Sequence, residues 1–381
     1  VQERRENSKQ TIMHLGKFYW PERGGIETAL RQISEAGIQL GYEVLCRVSQ
    51  KSRTPTQSEC IQQVQVKRYF SLGTFLSVPM SFGLWFDRQP EVSILHLHLP
   101  HPLAEIYTLF RINPLKTKII PYFHAFPVGH GKLGRLWFQW ITLPILKRSH
   151  QILISNPEML KIVPELNQFS EKITILPFCT DSITEEQRLS LFSSREENKT
   201  VLAVGRIVPY KGFQNLLQAW KKLMLSHPDL NQWKLVIVGD GPELPNLKKW
   251  TQENLSSENI LFTGDCDDET KNLWFKKSTL FILSSISTAE TFGISLLEAF
   301  GMGLPAIVSD LPGGVSTLAR NGECGKTFSI HSNEDLTQAL HFMMTSADQR
   351  NFSGQKNLKL AQERFSSKSF LSIYEKSTHA K

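Results

Sequence analysis

Short apolar runs alternate along this chain with longer stretches whose apolar residues recur every three to four positions. Thr11-Ile-Met-His-Leu is a run of the first kind, and Ile26, Leu30, Ile33 and Ile38 mark a helical stripe behind it. Gly41 follows as a helix stop, and a second strand opens at residue 42. Further runs at 64–69, 92–98, 118–123, 151–155 and 172–176 predict strands, with helical stretches between most of them. The pattern restarts at 201, with strands expected at 201–204, 233–238, 260–263, 279–283, 306–309 and 325–329. Helices are expected at 213–225, 333–345, 347–363 and 366–378. Such alternation predicts an α/β fold of mainly parallel sheets covered on both faces, with ligands at the carboxyl ends of the strands. The polar, charged segment 181–200 reads as the linker between two such runs. A chain of 381 residues also exceeds a usual single core, so two domains are expected.

One stretch stands out, from Ser284 through Glu290, Gly293 and Glu298 to Pro305. Phe281-Ile-Leu ends a strand, residues 284–289 are small and polar, and Ile294, Leu297 and Phe300 fall at helical spacing. A helix opening at Phe292-Gly293-Ile294 presents free backbone N–H groups at a partly positive terminus, which suits a phosphate. Gly293 lets a ligand approach the backbone closely. Glu290 ahead of this terminus and Glu298 in the second turn do not suit phosphate; they suit hydroxyls, a sugar at one end and a ribose at the other. The stretch is a nucleotide-sugar site in outline.

Charge and cysteine usage narrow the classes. Forty-three Lys and Arg against 36 Asp and Glu leave a net +7, which fits an anionic ligand or membrane surface and equally a merely basic protein. No basic stripe with interleaved aromatics occurs, so no nucleic-acid partner is expected. Cysteines 46, 60, 179, 266 and 324 are scattered and odd in number, reading as reduced cytoplasmic thiols. The polar N-terminus does not read as a secretory signal, residues 1–10 read as a frayed lead-in, and no apolar run is long enough to span a bilayer. Val1 in place of a methionine reads as a trimmed terminus.

Several smaller features carry two readings each. Gly24-Gly25 ahead of the first helix is either an ordinary turn or a loop whose amides wrap a diphosphate. His96 and His98 share one face of their strand, as metal ligands would, but no carboxylate or cysteine joins them. His124, at the end of 118–123, is either a packed strand-end histidine or a functional one. Residues 133–148, with Trp137, Trp140, Arg135, Lys147 and Arg148, read as a core helix or as a membrane-touching one. Gly239-x-Gly241 lacks the third glycine of a dinucleotide fingerprint, so a plain NAD site is not expected. Arg206 and Lys211, flanking the Pro209 turn, are either surface cations or a pair aimed at a leaving phosphate. Cations and a helix dipole can do the work of a divalent metal, and Asp265-Cys-Asp267 lies in a helix-entry loop, so no metal cofactor is expected.

Four motifs in order now join: Pro21-Glu-Arg-Gly-Gly-Ile-Glu27, Gly205-Arg-Ile-Val-Pro-Tyr-Lys-Gly212, Val238-Gly-Asp-Gly-Pro242 and Ala289-Glu-Thr-Phe-Gly-Ile-Ser-Leu-Leu-Glu298. Together they resemble the retaining GT-B glycosyltransferases of the "glycosyltransferase group 1" (family 4) class, over the chain from about Thr11 to Phe328. The resemblance implies two Rossmann-like doubly wound domains facing a central cleft. An acceptor domain would span 1–182, a donor domain 183–365, and a crossover helix 366–381 would return to the first. It implies that Glu290 contacts the donor sugar hydroxyls and Glu298 the ribose. Gly24, Gly25, Gly293 and Ile294 would hold the phosphates, Phe292 and Leu297 would line the donor site, and His124 would face the transferred sugar. Arg206 and Lys211 complete the catalytic and donor-binding set, with Tyr210 departing from a common acidic residue. A covalent nucleophile would need a second carboxyl group about 5 Å away across the bond, so front-side transfer is the expected route.

The function so implied is retaining transfer from a UDP- or GDP-sugar to a glycan or lipid-linked acceptor in cell-surface polysaccharide synthesis. Its place would be the cytoplasm, peripheral to the inner face of the membrane and in weak contact with anionic lipid. Two alternatives stand beside it: a soluble transferase making a small glycoside, and a catalytically silent nucleotide-sugar-binding scaffold.

Overall fold

A computed structural model describes residues 10–51, 53–75, 78–124, 131–255, 259–319 and 323–379, so the charged lead-in up to residue 9 lies outside the described residues. The chain divides into two compact units: unit 1 is Val1–Phe178 with Phe370–Lys381, and unit 2 is Cys179–Ser369.

Unit 1 is built on eight strands: β1 (Thr11–Leu15), β2 (Glu43–Ser49), β3 (Gln57–Ile61), β4 (Val64–Tyr69), β5 (Ile94–Leu99), β6 (Lys118–Phe123), β7 (Ile152–Ile154) and β8 (Ile173–Ile175). They lie in the order β8-β7-β6-β5-β1-β2-β4-β3. All neighbours run parallel except β3, which turns back antiparallel on β4. β3 was not foreseen: Gln57-Ser-Glu-Cys-Ile is almost wholly exposed, so an edge position leaves it no apolar alternation to read. Both faces of the sheet are covered, as parallel sheets require. On β2, Val44, Cys46 and Val48 pack with Leu30 of helix α1 (Gly25–Gln39), while Leu45 joins the opposite cluster with Leu95, Leu97 and Phe123.

Unit 2 carries six parallel strands: β9 (Thr200–Val204), β10 (Lys234–Val238), β11 (Ile260–Gly264), β12 (Leu280–Leu283), β13 (Ala306–Ser309) and β14 (Gly325–Phe328). Their order, β11-β10-β9-β12-β13-β14, is that of a doubly wound nucleotide-binding sheet. The order reverses between β9 and β12, and at such a point neighbouring loops diverge to opposite faces and leave a crevice at the strands' carboxyl ends.

The expected linker at 181–200 is corrected by the structure. Glu185–Asn198 is a helix, α2, opened by a capping box in which Thr184 and Gln187 satisfy each other's backbone amides, and Thr200 already belongs to β9. Its polar composition misled because its buried residues are arginines, Arg188 and Arg195. The Arg195 guanidinium donates to the carbonyls of Lys276 at 2.8 Å and Met302 at 3.0 Å, replacing an apolar contact with hydrogen bonds to buried carbonyls.

Five histidines of unit 1, His14, His96, His98, His101 and His124, are buried. Burial holds all five below the ordinary histidine value, His96 to about 4 and His101 and His124 to about 3. Unfolded histidine takes up a proton as pH falls through about 6.5, while these folded ones do not. Their contribution to stability is therefore intact above that pH and is lost as pH drops toward the folded values. Glu27 and Glu105, raised by burial, act with the opposite sign and offset part of the effect. Thermal unfolding followed from pH 7.5 to 5 is expected to show a falling Tm with net proton uptake on unfolding. A Tm that is flat or rises on acidification would contradict the neutral histidine core.

Candidate active site

The crevice of unit 2 is assembled by ties between the loops that leave β9 and β12. The Ser284 hydroxyl donates to the Lys211 carbonyl at 2.8 Å, and the Ile286 amide to the Tyr210 carbonyl at 2.8 Å. Gly212, just ahead of helix α3 (Phe213–Ser226), has φ +68°, and a Cβ there would lie 2.1 Å from the Ser284 carbonyl oxygen, so only glycine lets the two loops close. The result is that Lys211 and Glu290, 79 residues apart, meet as a short ion pair between largely buried side chains. Ser285, also buried, donates its hydroxyl to the same carboxylate oxygen at 2.9 Å. The pair is a lysine and a carboxylate held in one place by backbone contacts rather than by chance of rotamer.

Beyond it, Gly293 takes φ +86° as the residue before helix α5 (Ile294–Gly301), with a virtual Cβ 3.3 Å from Leu283. Leu297 donates to the Gly293 carbonyl at 3.0 Å, so the amides of Ile294, Ser295 and Leu296 precede the first helical bond. Phe292 and Leu297 are buried beneath this terminus, Phe292 edge-on to Phe365, and serve as its apolar floor. Glu298 accepts from Lys271 Nζ at 2.6 Å. Lys271 belongs to helix α4 (Asp268–Lys277); burial pulls its pKa down, and Glu298 and Asp268 more than offset this, holding it above the ordinary lysine value. Arg206, just past β9, is exposed and forms no ion pair among the described residues. Asp267 caps α4, accepting from the Thr270 amide at 2.7 Å. Lys271 and Ser285 were missed in the sequence. Lys271 stands 27 residues before its partner in a charged helix and carries no signal, whereas Ser285 lay within the stretch already singled out.

Unit 1 has its own set. Gly24 caps α1 and accepts from the Thr28 amide at 2.9 Å, leaving the amides of Gly25, Ile26 and Glu27 ahead of the first helical bond. A Cβ on Gly24 would meet the Glu27 carboxylate at 2.2 Å. Glu27 is half-buried and accepts from its own backbone amide, with Lys17, whose pKa burial lowers, and Glu22 among the charged groups acting on it. His124 follows β6 directly, with Nε2 at 3.0 Å from His98 Nδ1 and Nδ1 unpaired among the described residues. His96 and His98 have all four ring nitrogens engaged by protein partners: Ile120, Tyr374, His14 and His124. Among the described residues no group of three or more His, Cys, Asp and Glu is arranged to hold a metal.

The segment 131–148 has a buried side and an exposed one. It is a continuous helical stretch whose middle turn, Phe138–Thr142, widens to a π-helix just before Pro144, which has no N–H to offer a regular turn. Phe138, Ile145 and Leu146 are buried in the core, while Leu133, Leu136 and Trp140 are 77%, 51% and 73% exposed along one helical stripe. Lys132, Arg135, Lys147 and Arg148 are exposed in the same segment. Among the described residues no helix is long and apolar enough to cross a membrane.

A family model described as "Glycosyl transferases group 1" matches residues 186–359. The chain is 23% identical over 369 residues to O-antigen chain mannosyltransferase C of Escherichia coli, covering 95% of this chain and 96% of that one. It is 30% identical over 322 residues to alpha-monoglucosyldiacylglycerol synthase of Streptococcus pneumoniae, covering 79% and 72% respectively. The crystal structure of HepE from Anabaena, in complex with UDP and glucose, is similar with a TM-score of 0.73 at 14% identity, covering 97% of this chain and 99% of that one.

Proposed function

This chain belongs to the glycosyl transferases group 1 family, with its GT-B fold and retaining chemistry, and from that membership we propose that the Lys211–Glu290 crevice takes a UDP- or GDP-sugar. The acceptor in this reading is a growing glycan or a lipid-linked one of a cell-surface polysaccharide. The observation that carries it is the buried Lys211–Glu290 pair beside the uncapped start of α5, at the strand-order reversal of unit 2. The amides of Gly293 and Ile294, with Lys211 and Arg206, stabilise the leaving diphosphate. Glu290 accepts from hydroxyls of the transferred sugar, held in place by Ser285. Glu298 accepts from the ribose hydroxyls, and Lys271, bonded to it at 2.6 Å, holds that carboxylate in place. Phe292 and Leu297 support the floor. In unit 1, the amides of Gly24 and Gly25 bind phosphate and His124 faces the sugar. The relatives' printed names, a mannosyltransferase of O-antigen chains and a synthase of a glucosyl lipid, support a sugar donor with a polymeric or lipid acceptor.

The step in this reading is a front-side substitution. The bond from the anomeric carbon to the diphosphate oxygen breaks, the acceptor oxygen bonds to the same face, and the acceptor proton passes to the departing phosphate. Charge grows on the phosphate oxygens, where fixed cations and amides act most strongly. The work of a Lewis acid falls to Lys211, Arg206 and the helix terminus, and the reading needs no metal.

Turnover of UDP-, GDP- and ADP-sugars in EDTA tests this. One nucleotide is expected to support transfer without metal, and Glu290→Ala and Lys211→Ala are each expected to lower the rate by about 10²-fold or more. Wild-type-like rates for either variant would overturn the assignment.

The exposed Leu133, Leu136 and Trp140 with their four neighbouring cations support peripheral contact with anionic lipid. Flotation with phosphatidylglycerol vesicles at low salt is expected to carry the wild type, and to weaken for Trp140→Ser and in high salt. A chain that stays at the bottom at low salt would remove the membrane from the account.

A further inference from the structure

Three imidazoles form a line through unit 1. His14 Nδ1 lies 3.2 Å from His98 Nε2, and His98 Nδ1 lies 3.0 Å from His124 Nε2. His98 and His124 stack at 10° between planes, and Tyr122 packs against His124 at 4.1 Å between ring centres. His96 lies beside the line, stacked on His14 at 4.9 Å. Its tautomer follows from chemistry: the Ile120 carbonyl can only accept, so His96 Nδ1 donates, and its Nε2 accepts from the Tyr374 hydroxyl at 2.9 Å.

Each N···N contact needs one N–H and one bare nitrogen, and all three rings are neutral because they are buried. Only two arrangements satisfy both contacts. Either every ring carries its proton on Nδ1, or every ring carries it on Nε2. The rings therefore share one setting, and His14 decides with His124 which end of the line holds an unpaired N–H. In the first arrangement that N–H is His124 Nδ1, at the strand end. In the second it is His14 Nε2, fully inside the sheet core and without a partner among the described residues. Both end nitrogens are buried and without a partner among the described residues, but His124 directly follows the carboxyl end of β6, the side on which parallel sheets bind ligands, and an orphaned N–H costs least there, which selects the first.

We propose that His98, backed by His14, is a positioning residue that locks His124 as the Nδ1–H tautomer, so that His124 presents a hydrogen-bond donor to an oxygen of the transferred sugar. This deepens the reading of His124 given above and rests on it. A donor at that point discriminates among sugars by where they carry an acceptor oxygen, and it does so without any change of charge. His98 does not touch the sugar; its effect runs through one ring-to-ring hydrogen bond.

The test reads ring nitrogens and rates separately. In protein labelled with ¹⁵N on histidine, the His124 signals, identified by their loss in His124→Phe, are expected to show a protonated Nδ1 and a bare Nε2. In His98→Phe the pattern is expected to move to Nε2–H or to a mixture, and kcat to fall about tenfold with a smaller change in donor KM. His98→Asn, whose amide nitrogen falls near the place of Nδ1, is expected to restore both. His14→Phe serves in place of His98→Phe if that variant does not fold. A bare Nδ1 on His124 in the wild type, or a pattern unchanged in His98→Phe, would overturn the proposal. Wild-type turnover in His124→Phe would overturn the sugar role of His124 itself, and the ring-nitrogen pattern would still decide the relay.

Discussion

The strand-order reversal between β9 and β12 is the constraint on which unit 2 depends. Because β9 and β12 are parallel neighbours, the loops leaving their carboxyl ends emerge side by side, although 79 residues separate the side chains that meet there. Once Gly212 permits the two loops to touch, Lys211 and Glu290 are forced into contact within a largely buried setting. Removing one partner of such a pair leaves the other charge uncompensated, which costs far more than the pair itself contributes. A site of this kind is specified by backbone packing first and by side chains second.

What was readable in the sequence follows from which signals are local. Buried parallel strands such as Val201-Leu-Ala-Val and Lys234–Val238 announce themselves as apolar runs, so the α/β class and the two successive sheets were visible. The Glu290–Glu298 stretch was visible because glycine, helix start and carboxylates lie within ten residues. Helix α2 was misread because its buried face is made of Arg188 and Arg195, whose burial depends on distant carbonyls. Lys271 was invisible for the same reason: its meaning comes from a partner in another helix. The histidine line needed three strands in register, β1, β5 and β6, before His14, His98 and His124 became neighbours.

The two units solve different electrostatic problems. Unit 2 keeps fixed charges, Lys211 with Glu290 and Lys271 with Glu298, in pairs that a nucleotide-sugar would reorganise. Unit 1 instead buries neutral polar rings, covered by the helix Ser367–His379 through Tyr374, and spends hydrogen bonds rather than charge to hold them. Neutral donors suit a sugar, whose hydroxyls carry no charge, whereas cations and helix amides suit a diphosphate.

In the function proposed above, the start of α5 and the turn at Lys211 bind the diphosphate of the donor. Hydrogen exchange measured by mass spectrometry, with and without saturating UDP or GDP, addresses it most directly. Slowed exchange is expected, confined in unit 2 to peptides spanning 205–212 and 290–298, for one nucleotide in preference to the other. Binding of a nucleotide with no slowing in either peptide would contradict it.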